Sequence, residues 1–424
     1  MDNWEISQLT ATASSMRRQS MAETTDTAQV PVIDITDPTF DYTSREVVAA
    51  QARSWYAHTP IGLLVLRHAE ANDLLRGRHL NGDGIEYLRK FDIVDGPIYD
   101  WFVPVISNRH GEEHRRLRGL VSKAFTPRMI DRLRPFIRSR AEDLTGRIAP
   151  NEPFEFAGDL ANPLSLAVMG TLLGVPPEDH AIFGAWTADL ALLFALGYGG
   201  DTRERVTAAI TGLTGYVENL LNTKKPTEDS DLISALLAAR QTGSRVSAEE
   251  LVNLVVMLVF AAHDTTRHQL GNAMVTFTEY PEQWRLLGQH PELADRAVNE
   301  AMRWSPSVIM LNRIAAEDFE YHGLPINRGT VVAICAGIAQ RDPRAFPSGD
   351  TFDITASRTA PLLQFGAGPH HCLGAALART EIGEALPVLT RQLGPPTLAG
   401  PINWLPPLGV HGPATLPLRF GAAR

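Results

Sequence analysis

The sequence predicts a mainly α domain of the α+β type, helix-rich with small β-sheets, and two patterns lead to this prediction. Apolar residues recur three and four positions apart through most of residues 112–393, as expected for packed helices. Between about 314 and 338 the apolar runs become short and are separated by glycine and proline, which is typical of strands. No linker or internal repeat divides the chain. A single domain over 29–424 is therefore favoured over the two or three domains that 424 residues would allow.

Short strand-like runs lie near both ends of this predicted domain. Residues 62–66 form an apolar run that precedes a helical stretch through 71–75. After a tail rich in proline and glycine, residues 416–420 again have the composition of a strand. These runs predict small sheets at the periphery of a helical core.

The clearest predicted element is one long helix from Ser247 to about Tyr280. Ser247 and Glu250 have the spacing of a capping box, and Pro281 stops the helix. At 1.5 Å per residue such a helix would be about 50 Å long, so we expect it to cross the whole molecule.

Composition and charge exclude several functional classes. The net charge of −9 argues against attraction to nucleic acid or anionic lipid, so neither a nucleic-acid nor a membrane partner is expected. The longest apolar stretch, 251–262, is shorter than the ~20 residues that span a bilayer. Two cysteines cannot form a disulfide framework, which favours a reducing cytoplasm. Residues 1–28 are polar, lack the apolar core of a signal peptide, and are expected to be disordered.

The most informative segment is the loop that leads to Cys372. Gly366 and Gly368 allow a positive φ and a close approach to a bulky group. Cys372 stands at the start of a helical pattern, where a helix N-terminus favours the thiolate. Phe365 would cover the sulfur, and His370 would put a cation or a donor two residues away. A thiolate of this kind can bind haem iron, although a lone cysteine is commonly a small buried core residue.

The string Phe365-Gly366-Ala367-Gly368-Pro369-His370-His371-Cys372-Leu373-Gly374 resembles the haem-binding signature of the cytochrome P450 family of haem-thiolate monooxygenases. The resemblance implies the cytochrome P450 fold, with its long central helix over haem b, and Cys372 as the axial ligand of the haem iron. It further implies cofactor contacts at Phe365, Gly366, Gly368, His370 and Gly374.

A polar segment, Ala-Ala-His-Asp-Thr-Thr, interrupts the predicted long helix at 261–266. Polar groups in an apolar helix are costly unless they are satisfied, and Thr265 can bond to a carbonyl one turn earlier and bend the helix. A solvent-facing patch is the alternative. The segment resembles the acid–threonine pair of the family's oxygen-binding groove, which implies Asp264 and Thr265 as catalytic residues and Ala262 beside the cofactor. The family often has glycine at the Ala262 position, and alanine there could narrow the groove.

Glu300 and Arg303 are three residues apart on one helix face and could pair. Taken alone, this spacing is equally typical of an exposed ion pair of little energetic value. It is similar to the Glu-x-x-Arg motif of the family, which implies a structural role behind the haem. The family commonly adds an arginine just before a phenylalanine in the following loop. Thr351 precedes Phe352 here, so that third member is absent or supplied elsewhere.

His114 and Arg118 lie four residues apart and so share one helix face, which could also be a solvated basic surface. The resemblance implies that they contact the haem propionates, together with Arg313 and His370. Two carboxylates enclosed with a haem need cations or donors, which these four positions would supply.

The resemblance implies a monooxygenase that inserts one oxygen atom from O₂ into a hydrophobic small molecule, by hydroxylation or epoxidation. No flavin or iron–sulfur motif is present in the sequence, so electrons from NAD(P)H are expected through a separate ferredoxin and ferredoxin reductase. The expected docking cations are Arg115, Arg116, Lys123 and Arg379. A peroxide-driven peroxygenase and a non-catalytic haem sensor or carrier are the alternatives.

The substrate pocket is expected to be mainly apolar. Its predicted lining is formed by 80–106, 186–200, 257–265 and 308–311, with Trp186, Phe194 and Tyr198 available for aromatic contact. Such a lining suits a hydrophobic molecule of moderate size, for example a secondary-metabolite biosynthetic intermediate, either free or bound to a carrier protein.

Overall fold

The computed structural model describes residues 30–37, 39–82, 84–193, 200–224, 231–241, 246–405 and 410–422. Helices dominate these residues, so the mainly α prediction is confirmed. The expected disorder of 1–28, and the aromatic contacts expected of Phe194 and Tyr198, lie outside the described residues. The assignment of 29–424 to one domain stays a prediction.

The helices before the central one are α1 (Arg45–Arg53), α2 (His68–Arg76), α3 (Gly84–Arg89), α4 (Gly96–Phe102), α5 (Gly111–Ala124), α6 (Pro127–Thr145), α7 (Asn162–Leu173), α8 (His180–Ala191), α9 (Thr202–Thr223) and α10 (Leu232–Gln241). The central helix is α11 (Ala248–Glu279), followed by α12 (Pro281–Gln289), α13 (Ala294–Trp304), α14 (Ala336–Ala339) and α15 (Ala375–Gln392).

The long helix predicted from its caps is present as α11, with 32 residues and hence a length of about 48 Å. The Ser247 hydroxyl accepts a bond of 3.0 Å from the Glu250 N–H, and the Glu250 carboxylate accepts one of 2.9 Å from the Ser247 N–H. Helix α12 begins at Pro281, as expected for a helix stop. Because α11 contacts α7, α8, α9, α13 and α15, it forms the spine against which the other helices pack.

The strands are β1 (Tyr56–Thr59), β2 (Gly62–Val65), β3 (Leu80–Asn81), β4 (Pro153–Glu155), β5 (Met310–Ala315), β6 (Phe319–Tyr321), β7 (Leu324–Ile326), β8 (Val331–Cys335), β9 (Leu393–Leu398), β10 (Asn403–Trp404), β11 (Pro413–Thr415) and β12 (Pro417–Ala422). They form a five-stranded sheet in the order β1-β2-β8-β5-β3, a three-stranded sheet β4-β12-β9, and the pairs β6-β7 and β10-β11. In the largest sheet only β2 and β8 run parallel, with Gly62 opposite Val331. The strands predicted near 62–66, 314–338 and 416–420 are thus confirmed.

Both faces of the five-stranded sheet are covered by apolar side chains. Leu63 and Val65 pack into one buried cluster, whereas the alternate residues Leu64 and Leu66 pack into another on the opposite face. Cys335 on β8 belongs to the second cluster, and burial raises the pKa of its thiol to about 12. The second cysteine of the chain is therefore an inert core residue.

Candidate functional site

The Cys372 loop has a backbone that only its glycines permit. Gly366 and Gly368 have φ values of +67° and +64°. A Cβ on Gly368 would lie 2.8 Å from the Cα of Arg76, so α2 passes too close for any side chain. The Cys372 N–H donates to the Phe365 carbonyl over 2.8 Å, which closes the loop immediately before α15. The loop therefore holds the Cys372 sulfur in a defined place.

The environment of the Cys372 sulfur differs from the expectation in one respect. The side chain is accessible to solvent, but the surrounding protein reduces its hydration, and this burial raises the pKa of the thiol. The N–H groups of Gly374 and Ala375 and the charges of Arg118 and Arg379 lower that pKa but offset only part of the effect. Helix α15 begins at Ala375, three residues after the cysteine, so the helix terminus alone does not produce a thiolate. A bound metal ion would have to complete the deprotonation.

The four residues predicted to hold carboxylates converge next to this loop. The rings of His114 and His370 lie 4.2 Å apart. Burial lowers the pKa of His370 to about 3, and the nearby charges of His114, Arg313, His110 and Arg118 act in the same direction. Without an anion beside it, His370 is therefore a neutral imidazole at pH 7 that can donate a hydrogen bond.

His110 is a member of this cluster that the sequence interpretation missed. It occupies the N-cap position of α5, its ring lies 5.3 Å from that of His370, and its Nε2 accepts a 3.3 Å bond from the Gly82 N–H. The signal was present, because His110, His114 and Arg118 follow one another at intervals of four residues along one helix face.

The cluster fits a cofactor that carries anionic groups. Burial lowers the pKa of His110, His114 and Arg118, and the cationic neighbours of the two histidines lower theirs further. Among the described residues, no carboxylate contributes to these three shifts. Like charges concentrated beside an accessible thiol require an anion to balance them, as the two propionates of a haem would. The donor set therefore fits haem b.

The threonine of the central helix has the geometry that its motif predicted. The Thr265 hydroxyl donates to the Ala261 carbonyl over 3.0 Å, one turn earlier. Ala261 is exposed and Ala262 half-buried, so this turn of α11 presents only small side chains to the adjoining space. Whether the alanine at 262 narrows the groove stays a prediction.

Asp264, in contrast, is wholly buried. Its Oδ1 accepts bonds from Nε and Nη2 of Arg267 over 2.8 and 2.6 Å. Burial would raise the pKa of Asp264, but its interaction with His268 and the charge of Arg267 outweigh this and hold the pKa well below its usual range. The side chain is therefore a carboxylate at neutral pH, and it faces away from the half-exposed Thr265, as adjacent residues on a helix must.

His263 in the same segment joins three helices. Its Nδ1 lies 3.0 Å from the Thr187 hydroxyl on α8, and its Nε2 lies 2.9 Å from Asn162 Oδ1 on α7. The Ser165 hydroxyl of α7 also donates to the His263 carbonyl over 3.1 Å. Burial lowers the pKa of His263 to about 3, so the ring is neutral. Its bonds explain why a histidine is tolerated in the apolar core.

Glu300 and Arg303 form a buried pair rather than an exposed one. Arg303 Nε and Nη2 each donate to the Glu300 carboxylate over 2.8 Å, and both side chains are almost fully buried. Arg303 also donates to the carbonyls of Gln340, Gly349 and Thr351. The guanidinium thus connects α13 to the loop that leads toward Cys372.

The third member of this buried cluster is Arg358 and not residue 351. Arg358 Nε and Nη2 each lie 3.2 Å from the Glu300 carboxylate. Thr351 contributes only its carbonyl, which accepts from Arg303 over 2.7 Å. Of the two options that the sequence left open, supply from elsewhere is the correct one. Arg358 lies seven positions after Thr351, and no local sequence pattern indicates which arginine turns inward.

Two of the residues expected at the substrate pocket are packed against other parts of the protein. Trp186 packs against α9, where a Cβ on Gly212 would come within 2.5 Å of its indole. Ile309 is buried in the apolar cluster beneath the five-stranded sheet. The half-exposed members of the predicted lining that remain include Met257 and Val308, and Val308 pairs with Val410 of the C-terminal segment.

Known proteins are similar to this chain over nearly its whole length. The profile of the family described as Cytochrome P450 matches residues 192–392. The luteothin monooxygenase of Streptomyces thioluteus is 42% identical over 397 residues, which cover 93% of this chain and 97% of that protein. The structure of CalO2 superposes with a TM-score of 0.81 at 30% identity, over 91% of this chain and 99% of that chain.

A second solved structure is P450BioI in complex with an acyl carrier protein ligated to hexadec-9Z-enoic acid. Its TM-score is 0.76 at 28% identity, and it covers 85% of this chain and 92% of that chain. None of the helices within the described residues is long and apolar enough to cross a membrane. The fold, the cysteine loop and the extent of these similarities lead to one conclusion: the chain belongs to the cytochrome P450 family, and it is a haem-dependent monooxygenase that uses O₂.

Proposed function

We propose that the protein inserts one oxygen atom from O₂ into a hydrophobic secondary-metabolite intermediate, by hydroxylation or epoxidation. The observation that carries the proposal is the arrangement of an accessible thiol beside a cationic cluster, with the small-residue turn of α11 at 261–265. The relative named luteothin monooxygenase supports the substrate class, since it is similar over almost the whole chain.

Each group of residues has a separate task in this proposal. Cys372 would bind the haem iron, and His114, Arg118, Arg313 and His370 would hold the two propionates by charge and hydrogen bonds. Phe365, Gly366, Gly368 and Gly374 would shape the loop against the macrocycle. The haem, when bound, supplies the activation of O₂ and the transfer of oxygen. Glu300, Arg303 and Arg358 would keep the loop in place from behind.

Thr265 and Asp264 would deliver protons. The Thr265 hydroxyl donates to Ala261 and can still accept a bond from a water, so it can hold a proton donor at the turn. Asp264 would pass protons to that turn as a carboxylate, and the charge of Arg267 keeps it ionised between transfers. Ala262 would leave room for O₂ between helix and cofactor.

Electrons from NAD(P)H would arrive through a separate ferredoxin and its reductase. Of the four cations expected to dock the ferredoxin, two are engaged within the protein. Arg116 pairs with Glu250, and Arg379 donates to Asn299 over 2.9 Å while its guanidinium lies 4.4 Å from the centre of the Phe365 ring. Arg115 and Lys123 are exposed, so the proposed docking surface is reduced to these two residues of α5.

Reconstitution with separate components tests this proposal. The purified holoprotein is screened with hydrophobic natural products, luteothin first, and with acyl carrier protein loaded with a long-chain acyl group, for a shift of the Soret band to high spin. Compounds that bind are incubated with O₂, NADPH, ferredoxin and reductase, and the product mass is measured. A gain of one oxygen that requires every component supports the proposal. A product formed with peroxide alone indicates a peroxygenase, and binding without any product indicates a sensor or carrier.

A further inference from the structure

A stripe of buried polar side chains runs along one face of α11. Asp264, His268 and Asn272 follow one another at intervals of four residues, and each is at most 1% exposed. Three polar side chains in a row inside an apolar core cost free energy unless each finds a partner. Elsewhere on α11, His263 does find partners, so this stripe differs from the rest of the helix.

Each member of the stripe has one polar atom without a protein partner in the described part of the chain. These atoms are Asp264 Oδ2, His268 Nε2 and Asn272 Oδ1. His268 Nε2 lies 3.6 Å from Asp264 Oδ1, too far for a good hydrogen bond but close enough for charge to act. Buried polar atoms with no protein partner are normally satisfied by ordered water, and here they lie one helical turn apart.

The C-terminal segment covers this stripe and adds a fourth such atom. Gly412 lies against His268 so closely that a Cβ on it would be 2.8 Å from Nδ1 of the imidazole. The adjacent His411 accepts a 3.1 Å bond at its carbonyl from Asn272, and its Nδ1 also has no partner among the described residues. The His411 ring stacks on Trp404, with centroids 5.1 Å apart, and Trp404 is 42% exposed. The stripe thus extends from the small-residue turn of α11 at 261–265 to the protein surface.

Other neighbours of Asp264 cannot carry a proton inward. Arg267 reaches toward solvent with 17% of its side chain exposed, but a guanidinium only donates and does not release its proton. His263 is fully occupied by Thr187 and Asn162 on the opposite side of the helix. His268 is the remaining neighbour with an ionisable group that both accepts and donates.

We propose that His268 and His411 form a hydrated path that returns protons from solvent to Asp264. This inference rests on the proposed role of Asp264 and Thr265 in proton delivery. Each turnover consumes one substrate molecule, one O₂, two electrons from NADPH and two protons, and yields the substrate with one added oxygen and one water. Both protons come from solvent. Asp264, a carboxylate at rest, takes a proton from His268 and passes it toward Thr265, and His411 then returns a proton from solvent to His268, so no net charge remains in the core.

The charged groups that face this path set its pH response. They are Arg267, His263 and His268 around Asp264, and His268 beside His411. Burial lowers the pKa of His411, a hydrogen bond to the backbone of Leu405 opposes this, and the charge of His268 lowers the pKa further, so the net effect favours release of a proton. When either histidine is removed, proton transfer should therefore limit the rate of turnover.

The test compares the holoproteins of wild type, His268→Asn, His268→Phe and His411→Ala, with His290→Ala, an exposed histidine just after α12, as the matched control. Ferredoxin, reductase and NADPH drive the reaction with luteothin as the probe substrate. Product, peroxide and O₂ consumption are measured together in H₂O and D₂O, so that a rate is defined even if luteothin is a poor substrate. The CO complex of the reduced protein reports the intact haem–thiolate bond in every variant.

We expect both His268 variants to lose at least tenfold in rate and to show a larger solvent isotope effect, because neither amide nor phenyl group relays protons. His411→Ala should lose three- to tenfold and recover part of its rate with added imidazole, since that position borders the surface. The His290 control should match wild type. His268→Asn with the rate and isotope effect of wild type would overturn the inference. An inactive wild-type protein would instead overturn the proposed function, and the inference with it.

Discussion

Replacement of Arg358 by alanine is expected to destabilise the protein, because Arg358 binds the buried carboxylate of Glu300. Glu300 is 2% exposed and receives four charge-assisted bonds, two from Arg303 and two from Arg358. It also accepts a 3.1 Å bond from the Asp353 N–H. The change therefore removes two of the five bonds that satisfy a buried carboxylate.

The expected loss in the free energy of unfolding depends on the bonds that Glu300 keeps after the substitution. Removal of the sole partner of a buried ion costs about 3–5 kcal/mol. Here Arg303 and Asp353 still bind Glu300, so the cost should approach that of lost hydrogen bonds to a charged group, about 2–3 kcal/mol in total. Arg358 also donates to the carbonyls of Pro347 and Ser348, whose loss adds little because they lie near solvent.

The assay is chemical unfolding of the holoprotein, followed by both the Soret band and helical circular dichroism. Thr351→Ala is the matched control, because its hydroxyl bonds only to the exposed Ser348 carbonyl while its own carbonyl is unchanged. We expect the control to lie within about 0.5 kcal/mol of wild type. If Arg358→Ala were no less stable than Thr351→Ala, the assignment of Arg358 as the third member would be refuted.

The same variant should change the response to acid. Burial raises the pKa of Glu300, but the bonds from Arg303 and Arg358 outweigh it, so the net pKa lies below 4.5. A lowered pKa contributes stability above about pH 4.5 that is lost as pH falls through the folded-state value. Since Arg358→Ala reduces this contribution, the difference between variant and wild type should be largest near neutral pH and shrink below pH 4.5.

Further predictions concern the site itself. Cys372→Ser should abolish the red-shifted Soret band of the reduced CO complex, and an unchanged band would contradict the ligand assignment. Arg313→Ala and His370→Ala should each lower haem retention without altering that band, as measured by haem per protein after gel filtration. Thr265→Ala should divert NADPH to peroxide at unchanged substrate affinity, measured as product per NADPH. Burial holds the pKa of His263 near 3 in the folded protein. As pH falls below about 6.5, His263 therefore becomes protonated in the unfolded chain but not in the folded one, and the free energy of unfolding should drop by about 2 kcal/mol at pH 5. His263→Asn should flatten that part of the stability curve, and a curve as steep as wild type would exclude His263 as its source.

Elements with a local cause were predictable from the sequence. The boundaries of α11 follow from the capping box at Ser247 and the proline at 281, which act within one turn. The Cys372 loop follows from Gly366 and Gly368, whose positive φ is a property of those residues alone. In both cases the chemistry that defines the structure lies within ten residues of where it acts.

Contacts between distant segments were harder to predict. Arg358 and Glu300 are 58 residues apart, and two exposed arginines, Arg328 and Arg344, lie between them in the sequence. Trp186 looked available to a ligand, yet the absence of a side chain on Gly212 lets α9 approach and take up its indole. Such outcomes depend on how helices pack against one another, which residue type and spacing do not specify.

The segment at 263–268 shows why a polar interruption in a helix is hard to interpret from sequence. Successive residues are about 100° apart, so His263, Asp264 and Thr265 face three different neighbours. The first joins α7 and α8, the second pairs with Arg267 in the core, and the third turns to the half-exposed side with its hydroxyl on the Ala261 carbonyl. A single solvent-facing patch would have placed these groups on one side of the helix. Because three directions are used instead, the cost of burying each polar group must be met by a different partner. A substitution at one of these positions should therefore leave the contacts of the other two intact.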